Sequence, residues 1–529
     1  MTATFNLADL FEMTADAVPD RLALVAGDAR LNYRELDERA TRFGNHLRLL
    51  GLEPGSHVAL LGWNSDAWMV AMLGAYKARL AVVNVNYRYT RPEVVDLLVD
   101  AEARVLVADS ALFADLESVR DAVPTVTHLI SFDARCSAAE LGFADVLERA
   151  SPSRDFGPRS GDDPYLLYTG GTTGRPKGVV WRSEDLFFAS LAGSGDDGQP
   201  LTRPEQVAER LVPDSAPWLV TSPLMHGNGQ WNSLRPLLDG SGVVLWTGRR
   251  FDASGIARLI AEERAFLLVL VGDGMAVPFL EAIEGDDTID LGSLRVIASG
   301  GAILSPTNKE RLQRRLPGCR IVDGFGASET GSGGVMVGGG SGLPRFTMTP
   351  DVAVLDSDLA PVAPGQTGLL ARRGHIPLGY WNDPLKTAAT FPTDRSGTRW
   401  AVPGDEARLE SDGTVVLLGR GSTSINTGGE KVHPEEVANA IKTHPAVSDA
   451  IVVGVPDQRW GQAVAAVVTV VDGEHAPSVE QLRDHVSAHL ASYKAPRHVV
   501  VVDGIDYTAQ GKPDITWARD VATKRVGRH

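Results

Sequence analysis

Cysteine is almost absent: Cys136 and Cys319 are the only two in 529 residues. Two thiols so far apart exclude a disulfide framework and point to a reducing compartment. No His, Cys, Asp or Glu spacing of the kind that holds a metal occurs. No apolar run reaches the length that spans a bilayer, so no integral membrane association is expected. The opening residues Met1 to Leu10 lack a basic start followed by an apolar stretch. They read as the first turn of an amphipathic helix, not a targeting peptide, and the expected location is the cytoplasm. Positive charge is also short, with 51 Lys and Arg against 67 Asp and Glu, a formal charge of −16. That excludes non-specific nucleic-acid binding, which depends on neutralising phosphates with basic side chains. It still allows a small anionic ligand, because glycine-rich loops and single lysines bind phosphate whatever the net charge.

What remains is the composition of an ordinary soluble globular protein, 43% hydrophobic and 22% charged. A chain of this length exceeds one hydrophobic core, so at least two domains are expected. Up to about residue 160, helical patterns alternate with short apolar runs such as Val58–Gly62 and Val105–Ala108. The rhythm returns at Trp218–Thr221, Gly242–Trp246 and Leu294–Ala298. Strands separated by helices predict an α/β fold with mostly parallel sheets flanked by helices. Residues 331–342, rich in Gly and Ser, read as a mobile loop. Val352–Leu370 and Gly397–Leu418 change to strands with turn signals, which predicts a β-rich subdomain. After Gly419-Arg420-Gly421-Ser422-Thr423 the pattern is helix, two strands, helix and strand, a small α+β domain. The expected division is 1–420, a short small-residue linker at 421–423, and a second domain at 424–529.

One segment carries the chemistry: Tyr168-Thr169-Gly170-Gly171-Thr172-Thr173-Gly174-Arg175-Pro176-Lys177-Gly178. It leaves the apolar run Tyr165–Leu167 as a loop. Four glycines let the backbone approach an anion, threonine hydroxyls donate to phosphate oxygens, and Lys177 adds a point charge. It is not the loop of P-loop NTPases, since Lys177 follows Pro176 and no Ser or Thr comes after it.

The segment resembles the phosphate-binding signature of the adenylate-forming superfamily, which includes acyl-CoA synthetases, luciferases and peptide-synthetase adenylation domains. Gly170 stands where that signature commonly has serine. The resemblance covers nearly the whole chain, because further motifs follow in the family's order. Asp323-Gly324-Phe325-Gly326-Ala327-Ser328-Glu329-Thr330 is similar to the segment that receives adenine and the α-phosphate. By that match Phe325 packs on adenine, Ser328 contacts phosphate and Glu329 helps hold Mg²⁺, a set of chemistries that suits MgATP. Ser299-Gly300-Gly301-Ala302 resembles the turn beside the adenine and acyl pockets, and Asp405 with Arg420 the ribose-binding pair. The stretch Asn426 to Val437, with Gly428, Gly429 and Lys431, resembles the loop lining the pantetheine tunnel for CoA. Tyr493-Lys494-Ala495-Pro496 matches the family's segment before the last strand. Lys512 matches the catalytic lysine, a cation for bringing a carboxylate to a polyphosphate. Ser422 and Thr423 occupy the hinge, where relatives commonly carry an acidic residue, and Tyr507–Gln510 lacks the arginine often found before the lysine.

The resemblance implies an acyl-CoA ligase that uses ATP, releases AMP, and works with Mg²⁺ and CoA; its wording is similar to bacterial fatty-acyl- and steroid-acyl-CoA synthetases. His226 matches the position guarding the acyl pocket, with a packed core histidine as the alternative. Trp231, Gly272, Asp273, Met275 and Gly301 are the expected pocket, and their mix implies a bulky, mainly apolar carboxylic acid. Two other readings stay open: an enzyme that keeps only the step from acyl-adenylate and CoA, and a non-catalytic nucleotide-binding protein. A homo-oligomer is left open as well.

Overall fold

The computed structural model describes residues 4–113, 119–133, 139, 141–169, 176–191, 193–194, 198–213, 215–302, 304–336, 345–420, 425–427, 430–457, 461–490, 492–508 and 512–526. Its N-terminal part holds two sheets with parallel cores. In the first, Ala81–Val85, His57–Leu61, Val105–Ala108, His128–Ser131 and Leu141–Gly142 lie side by side, every pair parallel. Nearly every residue of these strands is buried, as expected where helices cover both faces. The second begins at an edge hairpin, Leu22–Ala26 with Ala29–Asn32. It then runs parallel through Val243–Leu245, Trp218–Val220, Leu267–Leu270, Val296–Gly300 and Arg320–Ala327.

At Arg320–Ala327 the sheet turns antiparallel and becomes the β-rich part. Gly331–Met336 pairs with Arg320–Ala327, followed by Arg345–Met348, Val415–Arg420, Asp405–Leu409, Thr367–Arg372 and Val352–Leu355. This corrects the expectation of a loop over 331–342, whose first six residues form a strand. Glycine is tolerated there because it lies under an aromatic ring: a Cβ on Gly333 would stand 2.4 Å from Phe325. Backbone pairing to both neighbours outweighs glycine's weak strand preference.

Helices start at legible caps. The Asn32 side chain accepts from Glu35 N and the Glu35 side chain returns to Asn32 N, a capping box that opens Tyr33–Leu49. Ser305 caps Pro306–Arg315, with Pro306 in the first turn.

From Ile425 onward the strands belong to a separate sheet. Val447–Asp457 and Gly461–Val470 form a long antiparallel pair, flanked by Ile425–Thr427, Glu430–Val432 and, in parallel, His498–Val501. Helices Pro434–Lys442 and Val479–Ser487 bury Val437, Ile441, Leu482 and Val486 against this sheet. A last helix, Ile515–Val526, places Ala518 and Ala522 on its other face. The fold is thus α/β, with a large N-terminal domain, a β-rich part and a C-terminal domain. Among the described residues no helix is long and apolar enough to cross a membrane.

Candidate active site

The strands on either side of the glycine-rich segment pair with each other. Pro164–Thr169 pairs antiparallel with Lys177–Arg182, Thr169 opposite Lys177 and Tyr168 opposite Gly178. Gly178 is required by packing, since a Cβ there would meet the Tyr168 ring at 2.8 Å. The connecting Gly170, Gly171, Thr172, Thr173 and Gly174 lie outside the described residues.

What anchors the hairpin comes from distant chain. Asn84, almost wholly buried, accepts from Tyr168 N at 2.8 Å and donates to Tyr168 O at 2.8 Å and Met225 O at 2.6 Å. One amide therefore ties the start of the glycine loop to the residue before His226. The Tyr168 hydroxyl donates to Asp100 at 2.7 Å, and burial together with that carboxylate holds the phenol protonated. On the other strand, the Trp181 indole N–H donates to the Ser328 carbonyl at 3.0 Å. This joins the hairpin to the second motif.

Lys177 and Glu329 are brought together through Tyr380. Its hydroxyl donates to Glu329 Oε1 at 2.7 Å, and Lys177 Nζ lies 5.7 Å from its ring centroid. Lys177 also stands 3.5 Å from Asp383. A lysine and an oriented carboxylate therefore stand on either side of one tyrosine. Buried Arg372 supports the strand beyond, donating to the carbonyls of Thr330 at 2.6 Å and Ser332 at 2.8 Å.

Asp323 pairs with Lys309 at 2.7 Å, while burial pushes its carboxyl up against that attraction. Phe325 packs edge-on to Phe346, with ring centroids 4.7 Å apart, and Gly324 and Gly326 continue the same strand. Gly301 has φ +86° and follows Gly300, whose carbonyl accepts from Asn228 at 3.0 Å. Asp405 faces Arg420 across the antiparallel pair; the Arg420 side chain lies outside the described structure.

His226 caps helix Gly227–Asp239. Its Nε2 is buried and meets no hydrogen-bond partner among the described residues. Burial, with Lys512 and then Arg88 nearby, pushes its pKa down to about 4, so the ring is neutral at physiological pH. Lys512 belongs to the C-terminal part, whose contact with the N-terminal part is made by Lys442, 3.2 Å from Asp273. The backbone of Lys512 is held by Thr508: Thr508 N donates to Lys512 O at 2.7 Å, and Lys512 N to Thr508 Oγ1 at 3.3 Å.

The expected acyl-pocket residues divide. Trp231 donates to the Tyr165 hydroxyl at 3.1 Å and packs on the main core. Gly272 N donates to Ser299 Oγ, and Met275 Sδ lies 3.4 Å from Thr221 Oγ1. The Asp273 carboxylate is committed elsewhere: it accepts from Ser305 N at 2.9 Å, Asn308 Nδ2 at 2.9 Å and Lys442 Nζ at 3.2 Å. Gly428, Gly429, Ser422 and Thr423 fall outside the described residues, and only the backbone of Lys431 is described, in the strand Glu430–Val432.

Sequence reasoning passed over Asn84, Tyr380, Arg372 and Lys442. Only Asn84 left a signal, as a lone polar residue inside the apolar run Ala81–Val85.

Comparison with known proteins gives the family and the fold. The family profile described as AMP-binding enzyme covers residues 11–381, and that of the AMP-binding enzyme C-terminal domain covers 436–512. The chain is 42% identical to a medium/long-chain-fatty-acid–CoA/3-oxocholest-4-en-26-oate–CoA ligase of Mycolicibacterium smegmatis, over 98% of this chain and 97% of that protein. It is 40% identical to the 3-oxocholest-4-en-26-oate–CoA ligase of Rhodococcus rhodochrous, over 97% and 95%. Among solved structures, the anthranilate CoA ligase AuaEII in complex with anthranoyl-AMP superposes with a TM-score of 0.84 at 25% identity, covering 99% of this chain and 98% of that one.

Proposed function

Because the chain belongs to the AMP-binding enzyme family, we propose that it joins a bulky, mainly apolar carboxylic acid to CoA through an acyl-adenylate. In the first step the carboxylate attacks the α-phosphorus of ATP and pyrophosphate leaves. In the second the CoA thiolate attacks the adenylate carbonyl and AMP leaves as the thioester forms. Both steps are problems of positioning and charge. The observation that supports this most is the convergence of Lys177 and Glu329 on Tyr380 beside the paired strands that flank the glycine-rich segment.

In this reading Lys177 and the glycine loop hold the triphosphate, and Lys512 offsets the repulsion between carboxylate and polyphosphate. Glu329 fits Mg²⁺: it is a hard oxygen donor already oriented by Tyr380, and this ion commonly takes one or two carboxylates beside substrate phosphates. When bound, the ion would supply charge neutralisation at the phosphate oxygens. Gly428 and Gly429 would admit the pantetheine arm. Phe325, Asp405 and Arg420 would receive adenosine.

Fatty acids or fused-ring steroid acids are the proposed substrates. The names of the relatives support this, as does the commitment of Asp273 to Ser305, Asn308 and Lys442, which leaves it unsuited to pairing with an α-amine. A cytoplasmic setting completes the proposal and agrees with the free, buried thiol of Cys319.

The test supplies two substrate sets. Dodecanoate and 3-oxocholest-4-en-26-oate are each given with MgATP and CoA, and the preformed adenylates are given with CoA alone. Thioester from both sets is expected. Thioester from the adenylates alone would replace this reading with a single-step enzyme. Lys512→Ala should slow adenylate formation about 100-fold while sparing thioester formation from supplied adenylate. Equal loss in both steps would contradict the role given to Lys512.

A further inference from the structure

We propose that Lys442 is a positioning residue for adenylation, fixing the Lys512 hairpin through Asp449 and Tyr507 and docking it on the N-terminal domain through Asp273. The inference rests on the two-step reading above and assigns a task to a residue outside its machinery.

Lys442 ends the helix Pro434–Lys442 in the C-terminal domain. Its side chain is only 11% exposed and lies between two carboxylates of different domains, 3.2 Å from Asp273 Oδ2 and 2.8 Å from Asp449 Oδ1. Burying an ammonium is unfavourable unless its charge is paired. Here desolvation is outweighed by the two carboxylates, which hold the group protonated.

The carboxylate oxygens are divided between tasks. Asp273 Oδ1 accepts from Ser305 and Asn308 within its own domain, which leaves Oδ2 for Lys442. Asp449 Oδ1 takes Lys442, and Oδ2 accepts from the Tyr507 hydroxyl. Tyr507 opens the lysine hairpin: it bridges to Pro513, and its neighbour Thr508 holds both the N–H and the carbonyl of Lys512. A chain of polar contacts therefore runs from Asp273 to the backbone of Lys512. Tyr507 lies in the approach that lacks the family's usual arginine, and its bond to Asp449 gives that approach an anchor.

The two halves of the network respond differently to domain rotation. Lys442, Asp449 and Tyr507 all belong to the C-terminal domain and turn together. The Asp273–Lys442 pair crosses between domains, so a rotation of the C-terminal domain about the expected hinge would separate it. It stabilises the pose for adenylation and contributes nothing to the pose for thioester formation.

The full chain tests this through its half-reactions. Pyrophosphate release is measured with dodecanoate and MgATP, and thioester formation with dodecanoyl-adenylate and CoA. Lys442→Met should slow the first about 10- to 100-fold, because buried Asp273 and half-buried Asp449 lose their shared cation, and change the second less than about twofold. Lys442→Arg should recover most of the loss. Tyr507→Phe, which keeps the domain contact, should slow adenylation by about 3- to 10-fold. Equal losses in both half-reactions, or full adenylation by both Lys442→Met and Tyr507→Phe, would overturn the proposal.

Backbone hydrogen exchange over residues 434–442 and 512–526 reads docking without any substrate, and should be faster in Lys442→Met than in the wild type. Unchanged exchange overturns the docking role. A wild-type chain that releases no pyrophosphate refutes the two-step reading instead, and the exchange comparison still decides the role of Lys442.

Discussion

Replacing Tyr380 by phenylalanine isolates one hydrogen bond at the centre of the nucleotide site. The hydroxyl donates to Glu329 Oε1 at 2.7 Å, while the ring supports Lys177 and packs on Phe391 with centroids 5.7 Å apart. The substitution keeps both ring contacts and deletes only the donor. A hydrogen bond to a charged group contributes about 1.5–3 kcal/mol, and about 1.4 kcal/mol is tenfold in rate. If the bond acts mainly in orienting Glu329 during adenylation, pyrophosphate release should fall about 10- to 100-fold. The Mg²⁺ concentration giving half-maximal rate should rise as well. Thioester formation from supplied adenylate should stay near wild type. The assay is pyrophosphate release with MgATP and an accepted acid over a range of free Mg²⁺, run beside the thioester half-reaction. In a Glu329→Gln background, Tyr380→Phe should have little further effect, since the two residues act as one unit. A fall of less than about threefold in the single variant, or an additive loss in the double variant, would refute this reasoning.

Asn84→Ala should cost about 3 kcal/mol or more, because three buried backbone groups lose their partner, and denaturant unfolding measures it. Unlike Tyr380→Phe it should impair both half-reactions, since it loosens Tyr168 and Met225 together. His226 sets a pH dependence: its folded pKa of about 4 lies below the ordinary value near 6.5, so the unfolded chain binds the proton first. Its contribution is full above pH 6.5 and is lost as pH falls toward 4, by up to about 3 kcal/mol; His226→Phe should flatten that part of the stability profile. Lys77, wholly buried between Asp37 at 2.7 Å and Glu12, tests structure alone. Lys77→Met should cost about 3–5 kcal/mol in chemical unfolding, with both half-reactions retained at 25 °C where the chain is folded.

The glycine-loop segment illustrates how far local pattern reaches. Its composition predicted an anion-binding turn, which lies outside the described residues, and the apolar run before it identified the preceding strand. The pairing of Thr169 with Lys177 follows naturally from a short loop between two strands. The helix Ile515–Val526 was not legible, because Ala518 and Ala522 form its buried contacts and alanine gives a weak apolar signal. The strand Gly331–Met336 was misread for a related reason. Glycine opposes a strand locally, but neighbours on both sides and the Phe325 ring above it decide the outcome.

By itself the sequence determined the order of the motifs, the alternation of strands and helices, and the types of donor available to a phosphate. Those are properties of neighbouring residues, where periodicity and turn chemistry act. Tertiary structure alone decided which groups orient the site: Asn84 reaches Tyr168 and Met225, Tyr380 reaches Glu329, and Lys442 reaches Asp273. The partners are 51 to 169 positions apart. Each contact satisfies a polar group that burial would otherwise leave unpaired, and which group meets it depends on how distant elements pack.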